Sequence, residues 1–310
     1  MKRKLFTLIK ILFSIIIISY ILIYRVSLNE IIGIISKSNL WILLLSFSLH
    51  AFGIYISAVR WNIIIKTQDD IEKTPGVFNL MKYYLVASYF NLFLPTRFGG
   101  DVSRIIDTKE NAKTYTKSTI IVLTERLNGL GILFLFSLVS SVYYILNGNS
   151  GYIFKLGLII GLLGFFGTLF IFSPLLELFL KLFGFLPRKI YDKLMDISKA
   201  IKSSRKKLFE ITLLSLILQL NVIIHYYLIG LALNIDISFI KYFAFIPMVL
   251  IILIIPLSIN GIGLRDVTLI EIFKQFSIPA TFAVAFSTID LVFMIILGII
   301  GGLIFSLRKR

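Results

Sequence analysis

Long apolar runs dominate the chain and predict six helices, over about 5–24, 40–64, 118–146, 151–173, 208–233 and 280–307. Each run reaches the roughly 18 to 20 residues at which a helix crosses the hydrocarbon of a bilayer. Two further apolar stretches fit this pattern badly. The one at 78–94 is short and carries Asn79, Lys82 and Asn91. The one at 239–258 runs through Pro256 into a polar turn, followed by a short stretch with Arg265, Asp266, Glu271 and Lys274. That last stretch cannot lie in lipid as a lone helix.

Basic residues collect on the cytoplasmic side of a membrane, and they orient the spans. Lys2, Arg3 and Lys4 place the N-terminus in the cytoplasm. The 174–207 segment, with Lys181, Arg188, Lys189, Lys193, Lys199, Lys202, Arg205, Lys206 and Lys207, belongs there too, as does Arg308-Lys309-Arg310. The uncharged 147–151 turn belongs outside. If 78–94 crossed the bilayer, Arg97, Arg104, Lys109, Lys113 and Lys117 would lie outside. If 239–258 crossed alone, the C-terminal cluster would end outside. Both conflicts vanish when each stretch dips in and returns as a re-entrant hairpin, which membranes tolerate where protein or a watery cavity surrounds the backbone. The expected fold class is therefore all-α integral membrane, with about six full transmembrane helices plus two re-entrant helical hairpins. Residues 1–310 form a single membrane domain whose halves, about 1–146 and 151–310, have the same element order in opposite orientation. Such possible inverted repeats are a pattern of secondary transporters.

Composition excludes the soluble alternative. Hydrophobic residues make up 58% and charged residues 15%, with a mean hydropathy of +0.94, which leaves too little charge to cover a soluble domain. The net charge of +16 fits cytoplasmic loops and anionic headgroups; no nucleic-acid reading motif accompanies it. The absence of cysteine rules out disulfides, thiolate metal sites and cysteine nucleophiles. The first apolar run is longer than a signal-peptide core and lacks a small-residue cleavage site, so it reads as a retained span. Ile190, Leu194, Ile197 and Ile201 recur at helical spacing among basic residues, predicting an amphipathic helix on the inner leaflet over about 187–207.

Two polar constellations interrupt the apolar pattern. The first contains Asn91, Pro95, Arg97, Gly99, Gly100, Asp101, Ser103 and Arg104. Proline stops a helix, paired glycines permit close backbone approach, and Asp101 and Ser103 suit the N-cap of a following helix. Free N–H groups there, with Arg97 and Arg104, would attract an anion. An ordinary cytoplasmic loop is the competing reading. The second contains Pro256, Ser258, Asn260, Gly261, Gly263, Arg265 and Asp266. It repeats the same ingredients between apolar runs, so its charges need partners inside the protein; a structural Arg265–Asp266 pair is the simpler alternative. Glu125 and Arg126 can pair with the first motif or anchor their helix at the interface. Asp290, deep in the last span, should be neutral or paired with a buried arginine. Arg60 and Trp61 read as interfacial anchors. His50 and His225 are expected to bond neighbouring helices, and no catalytic residue, cofactor or metal site is indicated.

The segments N-L-F-L-P-T-R-F-G-G-D-V-S-R at 91–104, T-E-R-L-N-G at 124–129 and P-L-S-I-N-G-I-G-L-R-D at 256–266, in that order, resemble the transmembrane domain of bacterial lysylphosphatidylglycerol synthases and their stand-alone flippase-like relatives. The resemblance covers nearly the whole chain. Asp266 stands where family members often have glutamate, and Asn128 takes a region where an acidic residue commonly follows the Glu-Arg pair. The soluble aminoacyl-transferase domain of the synthases does not follow Arg310, so the resemblance implies the lipid-moving part alone.

The expected function is that of a lipid flippase or transporter-like protein of the cell (plasma) membrane. It would bind an anionic phospholipid or polyprenyl-linked glycan through Arg97, Arg104 and Arg265, with Asp101, Glu125 and Asp266 orienting the arginines. The alternative is a membrane-embedded enzyme subunit, or a scaffold for a glycosyltransferase or aminoacyl-transferase partner. A homo-oligomer is compatible with either.

Overall fold

Every regular element among the described residues is a helix. The computed structural model describes residues 16, 19–21, 25–68, 74–93, 99–112, 114–148, 151–182, 188, 191–192, 195, 207–254, 258 and 260–308. In chain order the helices are α1 (Leu28–Ser36), α2 (Leu40–Lys66), α3 (Val77–Phe93), α4 (Gly99–Ala112), α5 (Tyr115–Leu146), α6 (Tyr152–Phe172), α7 (Leu175–Leu182), α8 (Leu208–Ala232), α9 (Phe239–Ile252), α10 (Leu264–Gln275) and α11 (Ala280–Leu307).

Among the described residues five helices, α2, α5, α6, α8 and α11, are long and apolar enough to cross a bilayer. They coincide with the expected spans from 40–64 onward. The expected span at 5–24 and the amphipathic helix at 187–207 lie almost wholly outside the described residues. The distribution of side chains is that of a protein dissolved in lipid. Ile159, Leu163, Phe166 and Leu169 of α6 and Ile299 and Leu303 of α11 are exposed, while Arg60, Arg104, Glu125, Arg265 and Asp290 are buried. Water would penalise the first group and reward exposure of the second; hydrocarbon reverses both preferences. With the family evidence below, this makes the chain a multi-pass membrane protein.

Helices meet where small or polar residues let them, because lipid gives apolar side chains no reason to prefer one another. At the centre α2 packs along α8. Ser46 of α2 donates to the His225 carbonyl at 2.9 Å, and Asn221 of α8 donates to the Leu49 carbonyl at 3.1 Å. The Asn39 side chain caps α2, accepting from Trp41 N at 3.0 Å and Ile42 N at 3.3 Å, while Asn39 N donates to Ala232 O at the end of α8. Outside this pair, α3 lies along α11, α9 along α5, and α6 along α5. The α5–α6 seam places Gly157 and Gly161 against Ser137, Ser141 and Leu138, and Ser137 donates to the Gly157 carbonyl at 3.1 Å.

The two segments that fitted the span pattern badly form short helix pairs, α3 with α4 and α9 with α10, whose members contact each other. Contrary to the expectation that Asp101 or Ser103 caps the second arm, α4 already starts at Gly99, which puts both residues inside its first turns. Gly100 is pressed against α3: a Cβ there would sit 2.7 Å from the Ala87 carbonyl. Between α9 and α10 the backbone is left-handed at Asn260, Gly261 and Gly263, with φ of 49°, 80° and 82°, which explains the glycines of the second motif.

The α3–α11 seam depends on Gly301, where a Cβ would fall on the Leu85 carbonyl; at Gly167 of α6 nothing lies within 4 Å. Gly301→Ala should therefore destabilise the protein by about 1–3 kcal/mol through overpacking. Gly167→Ala should be neutral or stabilising by roughly 0.5–1 kcal/mol from lost chain entropy. Thermal unfolding in detergent checks both, and equal stability of the two variants would contradict this packing.

Candidate functional site

Glu125, on the inner face of the spanning helix α5, is 1% exposed and gathers three helices around its carboxylate. Oε1 accepts from Arg60 Nη2 of α2 at 2.7 Å and from the Tyr84 hydroxyl of α3. Oε2 accepts from Arg104 Nη2 of α4. A carboxylate at this depth costs several kcal/mol unless paired, and these donors satisfy both oxygens. The Arg104 guanidinium is held between the rings of Trp61 and Tyr84, each centroid 4.1 Å away, so cation–π attraction fixes its plane. Asp101 lies 3.6 Å from Arg104 and pairs with Arg126. Arg60 also donates to Ser215 of α8 at 2.6 Å.

A second node has a related plan. Asp290, on α11, is 1% exposed; its Oδ2 accepts from Arg265 Nη1 of α10 and from the Tyr226 hydroxyl of α8 at 3.3 Å. Arg265 Nε donates to Ser287 at 3.1 Å, and Ser287 in turn donates to Asp266. Asp266 accepts from Gly263 N at 2.9 Å, closing the first turn of α10. In each node an arginine from the second arm of a short helix pair meets a carboxylate on the following spanning helix.

Between the nodes lies a cavity of about 450 Å³. Its polar wall includes His50, Arg60, Asn91, Glu125, Arg126, Gln219 and Asn260; Leu92, Leu130, Leu133, Leu250 and Leu297 line the rest. Among the described residues no group of three or more His, Asp or Glu side chains is arranged to hold a metal ion.

The family model described as the lysylphosphatidylglycerol synthase TM region matches residues 7–302. The chain belongs to that family. No match was found to a curated protein or to a solved structure.

Of the residues expected at the site of this lysylphosphatidylglycerol synthase TM region, Asn91, Glu125, Arg126 and Asn260 share the cavity wall. Asn91 also accepts from Gly100 N at 2.7 Å, which ties α4 to α3 and occupies one of the N–H groups expected to face an anion. Gly99, Gly100, Ser258, Gly261 and Gly263 shape the two turns; Ser258 is buried. Arg104 and Arg265 are engaged by Glu125 and Asp290, and neither lines the cavity. Asp266 sits against Ser287 rather than in a closed pair with Arg265. Arg97 and Pro95 lie outside the described residues. Asn128, the departure from the family pattern, faces α8 and donates to Thr212 at 3.0 Å.

The reading of Arg60 and Trp61 as interfacial anchors is overturned, since they are 5% and 0% exposed and belong to the Glu125 node. A basic residue near a helix end ordinarily reaches for headgroups; here Glu125 on a neighbouring spanning helix draws it inward. The one signal in the sequence was that Glu125 itself needed a cation at its own depth.

Glu125→Gln should strand the Arg60 and Arg104 guanidiniums together and destabilise the protein by about 3–5 kcal/mol. Adding Arg60→Met to that variant should restore part of the loss. Denaturant unfolding of both in micelles measures this, and a Glu125→Gln variant as stable as the parent would refute the node's structural role.

Proposed function

We propose that the chain binds the phosphate-bearing headgroup of a membrane lipid in the central cavity and carries it across the bilayer, with the acyl tails remaining in lipid. The observation that carries the reading is the mixed wall of that cavity, which Arg60 and Arg126 line together with leucines from α3, α5, α9 and α11. A volume of about 450 Å³ falls within the range of small-ligand sites, suiting a headgroup rather than a whole lipid. Arg126, which pairs with Asp101, is the better phosphate ligand because its side chain is 29% exposed, whereas Arg60 is buried between Glu125 and Ser215. Asn91, Gln219 and Asn260 would supply neutral hydrogen bonds. Membership in a family named for a lysylated phospholipid supports lipid as the cargo.

In this reading α3–α4 and α9–α10 are re-entrant hairpins of two inverted repeats. At about 1.5 Å per residue, the 17-residue α3 and 14-residue α9 are roughly 25 and 21 Å long, short of the roughly 30 Å hydrocarbon core. The packing also exchanges between halves: α3 lies on α11, and α9 lies on α5, as a two-fold relation through α2 and α8 would require. Both termini then face the cytoplasm of a plasma membrane.

Exposed Lys109, in the last turn of α4, and Ser277, just past the end of α10, mark the ends of the two hairpins in a chain with no native cysteine. Lys109→Cys should be labelled by an impermeant thiol reagent only from the cytoplasmic side, and Ser277→Cys only from outside. Labelling of Lys109→Cys from outside would refute the inverted arrangement. For the cargo, the protein in liposomes should move headgroup-labelled phosphatidylglycerol between leaflets. Arg126→Gln should slow this by about tenfold or more, the equivalent of one lost charge-assisted hydrogen bond. An unchanged rate would remove the cavity from the mechanism, and a chemically altered lipid would favour an enzyme instead.

A further inference from the structure

Away from the central cavity, and sharing no lining residue with it, lies a slot of about 470 Å³ between α1 and the ends of two spanning helices. Glu30, Gly33 and Lys37 line it from α1 and its C-cap, Asn234 from just past the end of α8, and Thr281 and Phe282 from the first turn of α11. Positions three, four and seven apart share one face of a helix. Glu30 and Lys37 therefore stand on the same wall of the slot, two turns and roughly 10 Å apart by helical rise, with Gly33 between them. A volume of this size is that of a small-ligand site.

Two features of this wall have no explanation within the protein. Among the described residues neither Glu30 nor Lys37 forms an ion pair or a side-chain hydrogen bond. Each charge suits its own end of α1, but that does not account for the glycine between them. Glycine weakens a helix interior relative to alanine, and a left-handed backbone or close packing is the usual reason for it. Gly33 has neither: its φ is not positive, and a Cβ built on it would meet nothing within 4 Å. What the missing side chain leaves is open space between the two charges.

Depth in the membrane narrows the occupant. α2 starts at Leu40, α11 starts at Ala280 and α8 ends at Ala232, and all three are long and apolar enough to cross a bilayer. The ends of spanning helices lie at the level of the lipid headgroups, where tryptophan collects. Leu40 and Trp41 are exposed at the start of α2, as are Leu28 and Ile32 on the face of α1 opposite the slot. α1 is thus amphipathic in the manner of a helix lying in the interface, with its charged face turned to the slot. A lone anion or a lone cation in the slot would leave one of the two charges unanswered. A headgroup that carries both an ammonium and a phosphate answers both.

We propose that this slot binds the headgroup of a zwitterionic phospholipid, with the Glu30 carboxylate taking the ammonium and the Lys37 ammonium taking the phosphate. The open space at Gly33 accommodates the link between the two charged groups. Asn234 and Thr281, on the opposite wall, supply neutral hydrogen bonds, and the acyl tails stay in the bilayer. The bound lipid joins α1 to the ends of α8 and α11. This site does not rest on the function proposed above, because it shares no residue with the central cavity and the lipid held here need not be the one carried.

Ser36 is exposed on α1 outside the slot lining, so Ser36→Cys carrying an environment-sensitive dye reports binding locally in a chain without native cysteine. In full-length protein held in uncharged maltoside micelles, dihexanoyl-phosphatidylethanolamine should bind saturably. It should bind about tenfold more tightly than dihexanoyl-phosphatidylglycerol, which keeps the phosphate but lacks the ammonium. Glu30→Gln should remove that preference, Lys37→Gln should weaken both lipids, and Gly33→Leu should abolish binding without lowering the unfolding temperature. No saturable binding by dye or by calorimetry, no preference in the parent, or a preference that survives Glu30→Gln overturns the proposal. The preference is a ratio read within one folded sample, so a destabilised Gly33→Leu variant leaves the test intact. Undiminished binding in a stable Gly33→Leu variant overturns the slot as the site, and glycerophosphoethanolamine binding as tightly as the lipid overturns the assignment to a lipid. Failure of phosphatidylglycerol to cross liposomes would refute the function proposed above and leave these outcomes unaffected.

Discussion

Glu125 and Asp290 place carboxylates inside helices that otherwise meet lipid, and the rest of the architecture follows from how those charges are neutralised. Removing a carboxylate from water costs several kcal/mol even after relaxation, and the cost is recovered only by cations held in good geometry. Arg104 and Arg265 supply them, and both come from the second arms of short helix pairs. Those arms must therefore lie at the depth of the carboxylates, within the protein. The first arms then pack against other spanning helices, α3 along α11 and α9 along α5. The ion pairs thus position segments that apolar packing alone would leave unplaced, because lipid competes equally well for their leucines.

The two nodes reach neutrality by different means, and the difference gives the cavity its character. Arg104 is clamped by Trp61 and Tyr84 and shares Glu125 with Arg60. Arg265 is held by Ser287, and the place corresponding to Arg60 on the central helix pair is taken by His225, whose charge is conditional on a proton. One wall of the cavity is consequently rich in permanent cations. The other carries the His50 imidazole. Between them α2 and α8 are joined mainly by side-chain hydrogen bonds from Ser46 and Asn221.

How much of this was legible in the sequence depended on whether the decisive signal was local. The spanning helices were legible because a run of some twenty apolar residues has few other meanings. The helix breaks near Gly99 and Gly263 were legible because glycine and proline act through their own backbone. Asn91, Glu125, Arg126 and Asn260, singled out as polar residues near apolar runs, line one cavity. What sequence alone misjudged was partnership. Arg104 and Arg265 looked like ligands for a headgroup because their carboxylates lie 21 and 25 residues away, on another helix. Arg60 looked like an anchor because its distance from a helix end says nothing of the carboxylate beside it. Asp101 looked like a cap because aspartate favours that position, yet pairing with Arg126 and the earlier start at Gly99 took precedence.

The same ion pairs limit how the protein can move. Separating α4 from α5, or α10 from α11, would expose a carboxylate and an arginine to a medium that solvates neither, at a cost of about 3–5 kcal/mol per broken pair. A rearrangement that opens the cavity first to one side and then to the other must therefore carry each second arm together with its spanning helix. The interfaces left to slide are α2 with α8, α3 with α11 and α9 with α5. Two arginines cross them: Arg308, past the end of α11, pairs with Asp107 of α4, and Arg60 bonds both Glu125 of α5 and Ser215 of α8. Arg60 also lines the cavity, so a phosphate bound there, as proposed, would compete directly with the contacts that join α2 to α5 and α8.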